Sequence, residues 1–447
     1  MSPDIIQQFY SQMEDTINQE LPLKLSKKIL LLLLLLFLSF IPIWINGVIP
    51  LVDVILIIAF SSYFFKPSKI KLKNITTPLF IVSVFSFLSF FGVLILCNHS
   101  YLRIKTALAG MLMIMFFAYF IKKIASIYQN TNFLVLLSKY FYYFSLIDLF
   151  YLALCILING SDRGTRITPL IGDLVPFKES ALYIYGYVLS KWIITERWKK
   201  GHLFLLFLSS LTNFFMFYRS LLIVWLVITL FMFFALIPNK RKYIYLGFST
   251  ILGILISTFF ITEIKGQIVP LIEFTQIEMQ NIAQITGTNL SSNLGMTRLI
   301  IWQTAFNHIH DHPLTGNGVG FEDYLGATGV ISQEYGNASH DVATFHNQIL
   351  GFWVDYGLVI LLLLYFTFIN IYLLGFKTLK TGIVDPVEKH AVFCFFTIFI
   401  IYFIGSFVGG RMIPSHTSFI TVLPLWLFIA AMMSEHQKRK NPLKENP

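Results

Sequence analysis

The chain has 447 residues, of which 56% are hydrophobic and only 13% charged, with a mean hydropathy of +0.71. A soluble domain of this length carries roughly twice that charged fraction, so composition excludes one and points to a polytopic membrane protein. The formal net charge of +10 does not read as a nucleic-acid surface; Lys and Arg stand in short groups beside apolar runs, which suits lipid headgroups.

A spanning helix needs about 20 apolar residues, and twelve segments qualify: 28–47, 49–65, 78–97, 104–125, 133–158, 181–197, 202–217, 220–238, 243–262, 348–376, 391–409 and 418–434. The seventh is short and the tenth long. The first begins near Ile29 with no small-residue cleavage site behind it, so it is expected to be retained. Groups of cations alternate along the spans: Lys24, Lys27 and Lys28; Lys66 to Lys73; Lys122 and Lys123; Arg197 to Lys200; Lys240 to Lys242; Lys377 and Lys380; Lys438 to Lys440. Cytoplasmic ends carry the excess of Lys and Arg, which puts both termini in the cytoplasm. Cys97, Cys155 and Cys394 lie in or beside apolar segments and form no C-x-x-C pair, so no disulfide framework is expected.

The fold expected is therefore an all-α polytopic integral membrane protein of about 12 transmembrane helices. It divides into a nine-span membrane domain (1–262), a large polar outer loop (263–347), three further spans (348–434) and a basic cytoplasmic tail (435–447). The outward segments keep cations against the charge bias: Arg163, Arg166 and Lys178, then Arg219, then Lys265 and Arg298. An anionic ligand is one local reason for that. Within the long loop, 271–286 and 298–310 have helical spacing, the second with Leu299, Trp302, Phe306 and Ile309 on one stripe. Pro313 and the string Gly316-x-Gly318-x-Gly320 stop that second helix. A loop this long is more than a connection, and its short helices are expected to fold over the membrane core.

Four short patterns follow one another: Arg298-x-x-x-Trp302, Pro313-Leu314-x-Gly316-x-Gly318, His346-Asn347-x-x-Leu350 and Asp355-x-Gly357-Leu358. Together they resemble the periplasmic loop and following helix of the O-antigen ligase family, whose superfamily also includes O-antigen and capsule polymerases. The resemblance implies a glycosyltransferase of the bacterial inner membrane with a periplasmic catalytic loop. It would transfer glycan from an undecaprenyl-diphosphate-linked donor to a sugar hydroxyl, with inversion and without metal, nucleotide or other cofactor. The acceptor is either lipid A-core, giving lipopolysaccharide by O-antigen ligation, or a growing glycan, giving polymerisation; a chain-length regulator is a further partner it admits. By the same resemblance, His346 matches the loop histidine of the family and Arg219 the arginine that opens a span after a tight turn. Arg166, or less well Arg163, matches the arginine between the fifth and sixth spans. Phe217-Tyr218-Arg219 departs from the commoner Thr/Ser-x-Ser/Thr-Arg wording.

The residue types suit that chemistry. A sugar diphosphate gains negative charge as the glycosidic bond breaks, and the planar guanidinium fork binds two phosphate oxygens at once. An acceptor hydroxyl must lose a proton, and imidazole titrates near neutrality. Each candidate also has a plainer reading: His346 as a helix cap, Arg219 as an arginine snorkelling to headgroups, and Arg298 and Arg411 as structural cations or further diphosphate ligands. His308-x-His310-Asp311-His312 spaces two imidazoles one helical turn apart, as a metal site does, but cations are also favoured at a helix C-terminus. The glycine string follows a helix and lacks Gly-Lys-Ser/Thr, so its glycines read as turns with positive φ, not as a nucleotide cradle. A transporter or flippase shares the span count, yet would place ionisable residues mid-membrane instead of at the outer ends.

Overall fold

A computed structural model describes residues 33, 44–45, 49–50, 73–96, 100–128, 131–159, 170, 177, 179–195, 200–215, 219–236, 294–328, 345, 347–380, 385–407 and 422–440. Eleven helices lie among them: α1 (Lys73–Leu96), α2 (Tyr101–Ile127), α3 (Phe133–Asn159), α4 (Glu179–Thr195), α5 (Lys200–Phe215), α6 (Arg219–Leu236), α7 (Leu294–Asp311), α8 (Phe321–Ala327), α9 (Gln348–Lys380), α10 (Pro386–Phe407) and α11 (Leu423–Lys440). A two-residue antiparallel pair, β1 (Trp44–Ile45) and β2 (Ile49–Pro50), sits where the first two expected spans were to meet. The rest of segments 28–47 and 49–65, Leu33 apart, and all of 243–262 lie outside the described residues.

Five of the described helices are long and apolar enough to cross a membrane: Ile75–Leu96, Tyr101–Ile127, Phe133–Ile158, Gln348–Lys380 and Pro386–Phe407. This is a multi-pass membrane protein. The segments expected at 181–197, 202–217, 220–238 and 418–434 are helical as α4, α5, α6 and α11. Of these, α4 and α5 have only 17 and 16 residues, about 25 Å of helix against a hydrocarbon layer of about 30 Å.

The core forms around α11, which is buried from Val422 through Met433 and packs against α2, α3, α9 and α10. Its Trp426 ring lies 4.5 Å from Phe117 and 5.9 Å from Phe120, and its Phe428 lies 5.6 Å from Phe141 on α3. Aromatic rings at such separations add to the apolar burial. Several polar side chains inside the helices are satisfied locally: Ser86, Ser138, Thr367, Thr378 and Thr397 each donate to the carbonyl four residues earlier. The start of α10 follows the usual chemistry, with Asp385 accepting the Val387 N–H at 2.9 Å just ahead of Pro386. The polar end of α11 continues the helix to Lys440 and is tied in at one end of the bundle. Arg439 pairs with Glu388 and with Glu435, Lys438 donates to Asn132 and His436 meets Thr378.

The long tenth segment is not one straight helix. Gly357 has φ 74 and ψ 172, which breaks α9 into 348–356 and 358–380. The second stretch alone is about 35 Å long, enough to span. The first nine residues instead join α7, α8 and Phe345 in a separate small core of Ala305, Ile309, Leu325, Phe345, Leu350 and Val354. Trp302 packs on it while Phe306 is 47% exposed. The inward stripe of α7 is thus 302, 305 and 309, and the expected Phe306 lies off it.

Candidate active site

The segment 312–328 is held by three helices at once, and the glycines make this possible. Gly316, Gly318 and Gly320 have φ of 70, 94 and 71, as expected of positive-φ turns and outside the region open to other residues. The turn they form lies against the break in α9. The interrupted helix leaves carbonyls without their usual donors, and the turn supplies them: Asn317 N–H donates to Val354 O at 2.7 Å and Gly318 N–H to Asp355 O at 3.0 Å. In return Leu358 N–H donates to Pro313 O at 3.0 Å, as does the Trp353 indole at 2.8 Å. A Cβ on Gly316 would stand 2.5 Å from Asp355 O, and one on Gly357 would strike Leu314 O. Motif and break are two halves of one joint.

Arg103, near the start of α2 and 3% exposed, clamps the same turn. Its Nη1 donates to Val319 O at 2.7 Å, and its Nη2 to Gly318 O at 2.9 Å and Asn317 O at 3.2 Å. Its guanidinium carbon lies 5.3 Å from the Phe321 ring centroid and 5.9 Å from that of Tyr324, within cation–π range. Ser89 on α1 accepts the Val319 N–H at 2.9 Å. From the other side Asp355 accepts from Gly320 N–H at 2.9 Å and Glu322 N–H at 2.7 Å, a carboxylate placed at the positive end of α8. Burial pushes the Asp355 carboxyl well up from its ordinary range; Glu322 and Asp323 push the same way and Arg103 opposes them.

The clamp extends to the residues beside His346. Phe345 is fully buried; its N–H donates to Glu322 Oε1 at 2.9 Å and its carbonyl accepts the Trp302 indole N–H at 3.0 Å. Asn347 caps α9, its Oδ1 accepting from Ile349 N–H at 3.0 Å and Leu350 N–H at 3.3 Å. The chain is therefore pinned at 345 and again at 347. His346 itself lies outside the described residues, as do Arg163, Arg166 and Arg411; Arg219 is the first residue of α6 and Arg298 stands on α7, with side chains beyond the description.

The histidine run ends α7 as its composition suggests. His308 meets the Phe321 ring edge-on at 5.2 Å, and its carbonyl accepts from Asn317 Nδ2. His310 is exposed beside Asp311, and His312 O accepts the Gly316 N–H. Among the described residues no three His, Cys, Asp or Glu stand together as metal ligands.

Residues 204–365, running from α5 through the kink in α9, match the family model described as O-antigen ligase. Over this segment the chain is similar to the O-antigen ligase family. No curated protein matches the chain. The family is one of O-antigen ligase/polymerase-type membrane glycosyltransferases. Arg103 lies ahead of the matched segment yet grips its turn, and the sequence candidates do not include it. It carries the same signal as they do, a cation at the loop end of an apolar span. Glu322 has no such signal, since an acid at a helix start is ordinary capping chemistry.

Proposed function

We propose that this protein transfers glycan from undecaprenyl diphosphate to a sugar hydroxyl at the periplasmic face of the inner membrane, and that the reaction is O-antigen ligation to lipid A-core. Arg219 and Arg166 hold the donor diphosphate, with Arg163, Arg298 and Arg411 as further cations toward it, and the lipid tail lies between helices. The acceptor oxygen attacks the anomeric carbon and its proton passes to the His346 imidazole. The bond to the diphosphate oxygen breaks, and undecaprenyl diphosphate leaves with the electron pair. Both termini are cytoplasmic in this reading, and 263–347 is the catalytic loop.

The observation that carries this reading is the anchoring of Phe345 and Asn347 on either side of His346, inside the residues that match the family. A general base is effective only when held within hydrogen-bond reach of the proton it takes. Glu322 thus acts as a positioning residue. Glu322→Ala leaves the Phe345 N–H without its acceptor and is expected to lower the transfer rate about tenfold, the scale of one buried unmatched donor. Glu322→Gln keeps an oxygen at Oε1 and is expected to retain most of the rate. Equal loss in both variants would mean that the charge, and not the anchor, matters.

Surface polysaccharide from a strain lacking this chain, separated on a gel, tests the function. Ligation predicts free polymer with bare core; polymerisation predicts core bearing a single repeat unit. An unaltered ladder would exclude both. In the same strain Arg219→Lys is expected to complement poorly, because an ammonium cannot hold two phosphate oxygens as the fork does.

A further inference from the structure

Asn213 stands on α5 two residues before its end, and is 1% exposed. Its Oδ1 and its Nδ2 are both buried without a hydrogen-bond partner. Its polar neighbours on the same helix behave otherwise: Thr212 donates to Leu208 O at 2.8 Å and Ser209 to Leu206 O at 3.1 Å. A buried amide with both ends unmatched is costly, so a native structure that keeps one needs a reason for it. A second such group occurs on the next helix, where Trp225 Nε1 is buried and unpartnered, its ring 5.5 Å from Tyr185 on α4.

Both groups belong to one junction. Only residues 216–218 separate α5 from α6, and at 1.5 Å per residue Asn213 lies about 3 Å and Trp225 about 9 Å along the axes from it. Arg219 opens α6 at that junction. A diphosphate offers only acceptors, which arginine satisfies and which would leave Oδ1 unmatched. A sugar hydroxyl or acetamido group both donates and accepts, and so meets both ends of an amide.

We propose that Asn213 reads the sugar attached to the donor diphosphate, with the Trp225 indole N–H as a second donor toward the same ligand. This rests on the transferase reading above. The amide is then a specificity determinant: it accepts the donor sugar that presents a donor–acceptor pair and rejects one that leaves it unmatched.

The test uses the purified full chain and an undecaprenyl-diphosphate-linked glycan. Asn213→Leu removes both unmatched groups at similar volume. It is expected to unfold at the wild-type temperature or up to about 4 °C above it. Its donor KM should rise about tenfold with kcat little changed, the pattern of lost ground-state binding. Donor should raise the unfolding midpoint of the wild type and not that of the variant. Asn213→Ser, which keeps one hydroxyl, is expected to fall between the two and serves if the leucine variant does not fold. An unaltered donor KM in a folded variant of an active protein would assign the amide to an internal water and overturn the proposal alone. A lowered unfolding temperature would mark a structural residue and overturn it too. A wild type that transfers nothing from the lipid-linked donor would remove the transferase reading, and this proposal with it.

Discussion

Alanine at His346 is expected to slow glycan transfer about 10²- to 10⁴-fold, the usual contribution of a positioned general base, while the protein still accumulates in the membrane. The second half of that expectation comes from the neighbours. Phe345 is held by its buried ring, by Glu322 and by the Trp302 indole, and Asn347 caps α9 through its own side chain. None of these contacts uses the imidazole, so its removal leaves the local backbone supported. Transfer rate against the amount of protein in isolated membranes is the measurement. A base works in its neutral form, so wild-type activity should also fall as pH drops below imidazole's ordinary range of about 6–7. Wild-type rates in the alanine variant would remove the histidine from the mechanism.

Arg103→Ala is expected to be the most destabilising single change at the joint. It strips the donors from the Val319, Gly318 and Asn317 carbonyls and removes the cation that acts on the buried Asp355. Leaving a buried acceptor unmatched costs about 1–3 kcal/mol, and this change does so at three carbonyls. Because the turn carries α8, and α8 carries Glu322, the loss should reach Phe345 and abolish transfer although Arg103 touches no reacting atom in this mechanism. Arg103→Lys should rescue little, since one ammonium cannot reach three carbonyls in the fork's geometry. The measurement pairs thermal unfolding in detergent with protease sensitivity of the loop. Wild-type melting and activity would show that Asp355 and the glycines hold the turn without it.

Much of this was legible in advance because it depends on local rules. Apolar runs gave the five described helices long enough to span, Pro313 and the glycines gave the end of α7, and three glycines with room for positive φ gave the turn. The family resemblance read from Arg298, Trp302, His346 and Asp355 agrees with the match over 204–365. What escaped was long-range. Hydropathy averaged over a window cannot see a break inside a long, mostly apolar run, because the kink at Gly357 exists only where Asn317 and Gly318 stand ready to satisfy the freed carbonyls. Arg103 reads as a headgroup cation until its partners more than 200 positions away are brought to it.

The sequence by itself determined that the chain is apolar enough to enter a membrane many times, that 263–347 is largely polar, and which family that stretch resembles; these follow from composition and residue order. Only the tertiary structure decided that the loop's core takes in the first turns of α9, and that Arg103 and Asp355 grip the glycine turn from opposite sides. Hydrogen-bond partners and buried charges are properties of which groups meet in space, and in this protein the groups that meet are far apart along the chain.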